Sequence, residues 1–451
     1  MRQWLLRIGR IAIFVVIFAV TAWATGLPLP ARVERVIYGA KPPIVVGLIH
    51  SESGPMAIGD RSLQDAEILA LEEINALGGI KGRRVSWEAR DPRSDPATAA
   101  VQARELIEQD GAVALFGCWT SEARKAVQAV VEDRRSLLVF AANYEGMERS
   151  RRTIYAGGSA NQSIVPAVRW CSDALKARRF FVVGTEEIWS RTVAEIGKDA
   201  ARAAGGEVVG EAYLPLGGGG EDAAAGAVKA SRPDVVLNMI VGAPNMTFLA
   251  AMSKSGLAPD KMPSICFGFA EDELRRFPPA DIAGLYSGMA YYQSLPRPEG
   301  REFVRKFKAR FGQDRAVSDS IVAAYNGVLI WSQAVQEAGS PAADAVLAHV
   351  DRQSLDAPEG VVTIDPATRV AWRPFHVGRA RADGQFEVVF SIRKPIRPLP
   401  YVATRSIGQW RTFLDRLRAG WGGRWSAPTR QQAPAPAPAR RGPDAGPSPT
   451  P

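Results

Sequence analysis

The chain has 451 residues, 46% of them hydrophobic and 23% charged, enough for two or three domains with their own cores. Its net charge of +9 sits at the ends: residues 391–451 hold eleven basic against two acidic side chains and residues 1–41 six against one, which leaves 42–390 at −5 and argues against a nucleic-acid partner. Three cysteines (Cys118, Cys171, Cys266) without CxxC spacing predict neither a disulfide framework nor a zinc site, and nothing in the sequence asks for a cofactor or metal.

In chain order, Arg2, Arg7 and Arg10 precede an apolar run from Ile11 to Val20, and Ala22-Trp23-Ala24 offers small residues where a signal peptidase reads. Residues 1–24 are therefore expected to be an export signal or, if uncleaved, a membrane anchor. No cysteine follows the run, which argues against a lipoprotein anchor. Residues 25–42 are Pro-punctuated and predict a linker. Strand and helix signals then alternate. Ile44–Ile49 predicts a buried strand; Leu63, Ala66, Ala70, Ile74 and Leu77 mark one helix face that ends at Gly78-Gly79. Further strands are expected at 85–89, 112–116 and 137–141, with helices at 97–109 and 121–131 between them. The rhythm repeats with strands at 179–183, 208–214, 234–240 and 264–267 and helices at 161–175, 191–204, 221–230 and 247–255. Residues 301–350 are expected to be mostly helical and 361–392 to form short strands with a turn at Ala382-Asp383-Gly384. Within 403–430, Arg405–Gly420 predicts a basic amphipathic helix with Trp410, Phe413, Leu414 and Leu417 on one face, expected to pack against a lobe or, as the alternative, to lie on an anionic membrane surface, and residues 431–451 predict a disordered Pro/Ala tail.

Such alternation predicts an α/β protein of two doubly wound parallel-sheet lobes. Ligands in such sheets sit at the carboxyl ends of the strands. Those positions carry His50-Ser51-Glu52-Ser53-Gly54, Gly117-Cys118-Trp119-Thr120-Ser121, Ala142-Asn143-Tyr144-Glu145-Gly146 and Gly184-Thr185-Glu186-Glu187-Ile188-Trp189. Hydroxyls and amides inside an aromatic wall suit a small polar solute. No HExxH, GxSxG or phosphate-loop motif is present, and only His50, His349 and His376 are available as bases, so catalysis is not expected. One nucleophile–base pair remains to be checked in space, Cys118 with His50, since both follow strands of the same lobe.

The stretch GLIHSESGPMAIGDRSLQDAEILALEEINALGGIKGRRV resembles the opening of type I periplasmic binding proteins. FGCWTSEARKAV followed by YEG, then NQSIVPAV and GGEVVGEAYLPLG, resemble the urea- and short-chain-amide-binding branch, related to branched-chain amino acid binders. KPIRPLPYV resembles the closing segment of amide sensors in that branch. The resemblance spans about residues 43–402. It implies two lobes joined by a three-strand hinge: 43–160 as lobe 1, 161–285 as lobe 2, 286–345 returning to lobe 1, and 346–402 as lobe 2 with the C-terminal strands. It also implies capture of urea, a short amide or an amino acid outside the cytoplasm, with an ABC permease or a membrane sensor as partner. Trp119 matches the branch's cleft aromatic and Ser121 its ligand-contacting serine. Phe140 stands where relatives have a tyrosine, and Glu187 and Trp189 stand where they have two second-lobe tyrosines. The expected ligand contacts are Ser53, Trp119, Thr120, Ser121, Phe140, Ala142, Glu187, Trp189, Gly242 and Glu271.

Overall fold

The computed structural model describes residues 41–428 except Phe269. The expected signal or anchor (1–24), most of the expected linker (25–42) and the expected Pro/Ala tail (431–451) lie outside the described residues.

The first lobe starts with β1 (Ile44–Ile49) and α1 (Ala57–Ala76). Leu63, Ala66, Leu69, Ala70 and Ile74 of α1 are buried at three- and four-residue steps. Each large apolar side chain hidden this way contributes about 1.5–3 kcal/mol. The helix stops at Gly78 and Gly79, both at positive φ; a Cβ on Gly79 would stand 2.1 Å from the Arg83 carbonyl oxygen, so only glycine makes this turn. β2 (Val85–Arg90), α2 (Pro96–Glu108), β3 (Leu115–Gly117), α3 (Ser121–Asp133), β4 (Leu138–Phe140) and β5 (Thr153–Tyr155) complete the unit. Asp95 caps α2 by accepting the Thr98 N–H, and proline takes the first helical position, where its missing N–H costs nothing. The five strands are parallel in the order β2-β1-β3-β4-β5.

The second lobe repeats that order. α4 (Ala160–Ala174), β6 (Arg179–Thr185), α5 (Ile188–Ala203), β7 (Glu207–Leu214), α6 (Glu221–Ser231), β8 (Val235–Met239), α7 (Pro244–Lys254), β9 (Ser264–Cys266), the one-turn helices α8 (Glu271–Leu274) and α9 (Pro279–Ile282), and β10 (Tyr286–Met289) follow in sequence. Their strands pair in parallel as β7-β6-β8-β9-β10. The chain then runs through α10 (Pro298–Phe311), α11 (Asp319–Ala338) and the short α12 (Ala343–Leu347), of which α10 and α11 pack on α1. β11 (Ser354–Ala357) and β12 (Gly360–Ile364) form a hairpin against α10 and α11, and β13 (Ala371–Ala380) and β14 (Phe386–Ile396) extend the second sheet beyond β10 with antiparallel pairing. The chain thus passes from the first sheet to the second after β5, leaves it after β10 for α10 and α11, and rejoins it through β11 to β14.

One expected boundary shifts. β10 belongs to the second sheet, so the return to the first lobe begins after Met289 rather than at 286. The β11–β12 hairpin packs on first-lobe helices and also joins the second sheet through β12–β13 pairing, so the segment from 346 touches both lobes. Both strands are short, and their side depends on long-range packing.

The last helix, α13 (Ile407–Gly420), is capped by Ser406, which accepts the Gln409 N–H. Its apolar face is not open to a membrane: Trp410 and Leu414 are buried against α5. The Trp410 indole N–H donates to the Val402 carbonyl at 3.0 Å, and Arg405 pairs with Glu195 at 2.6 Å and Asp199 at 2.7 Å. No helix among the described residues is long and apolar enough to cross a membrane.

Beneath β1 lies a buried charge cluster. His50 Nδ1 is 2.6 Å from Asp60 Oδ1 and its Nε2 2.8 Å from Glu67 Oε2, with all three side chains out of solvent. Burial by itself lowers the His50 pKa, but the charges of Glu67 and Asp60 outweigh it and raise it to about 10. The imidazolium ties β1 to α1 across the start of the cleft. In His50→Ala, two buried carboxylates lose their cation, and chemical denaturation is expected to show a loss of about 3–5 kcal/mol. Because the folded His50 keeps its proton above the unfolded pKa of 6.5, its stabilisation is complete below that pH and fades as pH rises toward 10. The variant should therefore lose the wild type's decline between about pH 7 and 10; an unchanged decline would contradict the assignment.

Candidate functional site

In a parallel sheet of order 2-1-3-4-5 the connections leave opposite faces on either side of the first strand, and the gap at that switch point is where ligands bind. Here the switch points lie between β1 and β3 in one lobe and between β6 and β8 in the other. A cavity of about 110 Å³ opens between the lobes and is lined from both. The first lobe supplies Pro55, Met56, Gly59, Trp119, Thr120 and Ser121, and the second supplies Glu187, Trp189, Val241, Phe267, Asp272 and Glu273. Ser318, Asp319 and Ser320 at the start of α11 close the hinge side. The volume suits a small organic molecule.

Six of the expected contacts line this cavity: Trp119, Thr120, Ser121, Ala142, Glu187 and Trp189. Thr120 caps α3 through its side chain, which accepts the Ala123 N–H. The Ser121 hydroxyl is already committed: it donates to Glu145 Oε2 at 2.6 Å and accepts from Arg124 at 2.8 Å. Arg124 is fully buried, 4.9 Å from the Phe140 ring centroid and 5.4 Å from that of Tyr144, and bonded to Glu145 and Glu148. Ser121 thus joins a rigid wall, with one lone pair left for a ligand.

Four expected contacts stand elsewhere. Ser53 is exposed on the β1–α1 loop, its hydroxyl bonded to Asp91 Oδ2 at 2.8 Å. Phe140 is fully buried beneath Arg124, so the missing tyrosine hydroxyl removes nothing from the cavity. Gly242, at φ +72°, marks a point of lobe contact instead: a Cβ there would stand 3.0 Å from Met56 Cε of the other lobe. Glu271 turns away, accepting the Gln293 N–H at 2.8 Å, while its neighbours Asp272 and Glu273 face the cavity. The acidic triplet was visible in sequence, but α8 is a single turn, too short for periodicity to set which carboxylate points inward. Met56 and Gly59 carried no sequence signal; Gly59 matters because a Cβ on it would press within 3.0 Å of the Trp119 ring.

Glu187 is buried and caps α5, accepting the Trp189 N–H at 2.7 Å and the Ser190 N–H at 2.5 Å. Burial dominates these bonds and raises its pKa to about 8. Burial likewise raises Asp272 to about 6, and burial together with the charge of Asp272 raises Glu273 well above the usual carboxylate range. Asp319 is balanced by Arg373 at 2.8 Å, which also holds Glu359 at 2.9 Å. The Cys118–His50 pair is not assembled: both imidazole nitrogens are taken by carboxylates, and burial pushes the Cys118 thiol up to about 12.

A C-terminal segment fastens the mouth of the cavity. The Ile188 N–H donates to the Trp425 carbonyl at 2.9 Å and the Ala427 N–H to the Glu186 carbonyl at 2.8 Å, both on the second lobe. On the first lobe, the Ser426 hydroxyl donates to Glu122 Oε2 at 2.6 Å, and Lys125 Nζ lies 4.7 Å from the Trp425 ring centroid. Glu122 and Glu187, which meet this segment from opposite lobes, both line the cavity.

Residues 44–407 match the family model of the periplasmic binding protein domain, and the chain belongs to that family. Leu/Ile/Val-binding protein homolog 8 of Brucella abortus is 26% identical over 336 residues, which span 70% of this chain and 81% of that protein. A limonene hydroxylase of Geobacillus stearothermophilus is 33% identical over 125 residues, but the chain spans only 23% of its length. The branched-chain amino acid transporter substrate-binding protein of Streptococcus pneumoniae, solved with isoleucine, superposes with a TM-score of 0.70 at 19% identity, covering 78% of this chain and 100% of that one. A solute-binding protein of an ABC transporter from Rhodopseudomonas palustris, solved with 3,4-dihydroxybenzoic acid, gives 0.71 at 19% identity, covering 79% and 98%. The chain is therefore a periplasmic binding protein with the two-lobed type I fold of those structures, and the family implies a place outside the cytoplasm.

In Trp425→Ala, the Ile188 and Ala427 amides are expected to exchange hydrogen about tenfold faster, with the β6 core unaffected. Unchanged exchange at both would show that the segment does not fasten the lobes.

Proposed function

We propose that this protein captures a small polar solute, with urea, short amides and amino acids as the first classes to consider, in the cavity between its lobes and delivers it to an ABC permease. The observation that carries this is the cavity itself, placed at both switch points and lined by side chains of both lobes. A ligand touching both lobes stabilises the closed form by the contacts it makes only there. The sequence resemblance to the urea- and amide-binding branch supports that range of ligands, and export by residues 1–24 would bring the protein to them. A ligand sensor feeding a signalling partner is a second candidate function. It is favoured by the sensor-like KPIRPLPYV segment and by the 425–427 segment, whose hydrogen bonds reach both lobes.

A solute that binds only the folded state raises its melting temperature; at about a hundred times Kd the gain is about 2.7 kcal/mol, or several degrees. The full chain, screened against amides, amino acids and amines, is expected to show such a rise with a change in tryptophan emission. Trp119→Phe, which keeps an aromatic ring at the cavity wall, should reduce both. A solute that raises melting equally in the variant would place the site elsewhere.

A further inference from the structure

The cavity's charge is one-sided. Among the described residues, five carboxylates line it (Glu122, Glu187, Asp272, Glu273 and Asp319), and no lysine, arginine or histidine does. One of the five is neutralised within the protein, Asp319 by Arg373, and Glu122 accepts the Ser426 hydroxyl. Glu187 takes only backbone N–H groups, and Asp272 takes the Ser318 hydroxyl, with Arg276 and Arg315 acting on it from outside the cavity lining. Glu273 Oε2 accepts the Ala270 N–H at 3.1 Å. Its Oε1 lies beside the aromatic wall: a Cβ on Gly59 would stand 3.3 Å from it and 3.0 Å from Trp119 Cζ2. Carboxylates next to the rings of Trp119, Trp189 and Phe267 make a box for a cation, because a positive charge is attracted by both the anions and the ring faces. A ligand carboxylate, such as isoleucine carries, would enter the same space facing like charge and no cationic partner.

Resting on the assignment of this cavity as the ligand site, we propose that it selects a small organic cation without a carboxylate, an amine or a guanidinium, whose N–H groups pair with Glu273, Asp272 and Glu187 and whose carbon skeleton packs on Trp119, Trp189 and Phe267. This parts the chain from its structural relatives solved with isoleucine and 3,4-dihydroxybenzoic acid, both of which carry a carboxylate. Burial raises Glu187 to about 8 and Glu273 well above the usual carboxylate range, so these two favour the neutral form in the empty cavity, while Asp272, raised only to about 6, is mostly ionised at neutral pH.

The test is calorimetric titration of the full chain with putrescine, agmatine and guanidinium, set against acetamide, urea, isoleucine and 4-hydroxybenzoate. At least one cation is expected to bind ten times or more tightly than every uncharged or anionic probe. Glu273→Gln and Asp272→Asn should each weaken that cation tenfold or more while melting no lower than wild type, since each keeps the side-chain shape and replaces an acid whose ionised form burial disfavours with a neutral amide. Tight binding of an amide or a carboxylate with weaker cations would overturn the charge assignment and leave the cleft as a binding site. Tight cation binding unchanged in both variants would overturn the placement of these two residues. No binding by any probe would remove the cleft's assignment as a ligand site, and this proposal with it.

Discussion

Parallel strands all end at one edge of their sheet, and in this chain two sheets of identical strand order turn those edges toward each other. Nearly every feature of the cleft follows from that constraint. The loops after β1, β3 and β4 face those after β6, β8 and β9, so both walls are built from strand-end residues and helix starts. The first-lobe wall is then made rigid from behind, where Arg124 is stacked on Phe140 and Tyr144 and bonded to Ser121, Glu145 and Glu148. A fully buried guanidinium is tolerable only with such partners, and leaving any of them unpaired would be expensive. Close approach of the lobes requires small residues at the contact, which accounts for Gly242 against Met56.

Much of this was legible in sequence. Strand and helix runs alternate with enough regularity to give the two lobes, since buried parallel strands read as apolar runs and glycines punctuate the helix ends. Six of ten expected contacts line the cavity because they immediately follow strands, where topology alone sets location. Ser53, Phe140, Gly242 and Glu271 do not, and each fails for a geometric reason: a loop tied sideways to Asp91, a strand residue pointing into the core, a glycine spent on lobe contact, and a one-turn helix whose phase the sequence does not set. Asp272 and Glu273 enter the site through that same helix. The amphipathic pattern of α13 was clear, but whether its Trp410 face met a membrane or a lobe depended on a distant surface, that of α5.

Electrostatics separates the two charged clusters near the cleft. His50, Asp60 and Glu67 compensate one another and serve stability, with both ring nitrogens occupied. Glu187, Asp272 and Glu273 have polar partners but no cation in the cavity lining, and burial raises all three. What sets the proposed binding site apart from the satisfied core network is that, among the described residues, its lining holds no countercharge where space remains for a ligand to bring one.

That difference can be read directly as protons. A cation entering the cavity lowers the raised carboxylate pKa values, so carboxyl groups protonated in the empty protein must ionise as it binds. Titration of the full chain with agmatine at pH 7, repeated in two buffers of different ionisation enthalpy, measures that exchange. Net proton release on binding is the expected result. Binding with proton uptake, or with none exchanged, would contradict the account of a desolvated acidic cavity awaiting a cation.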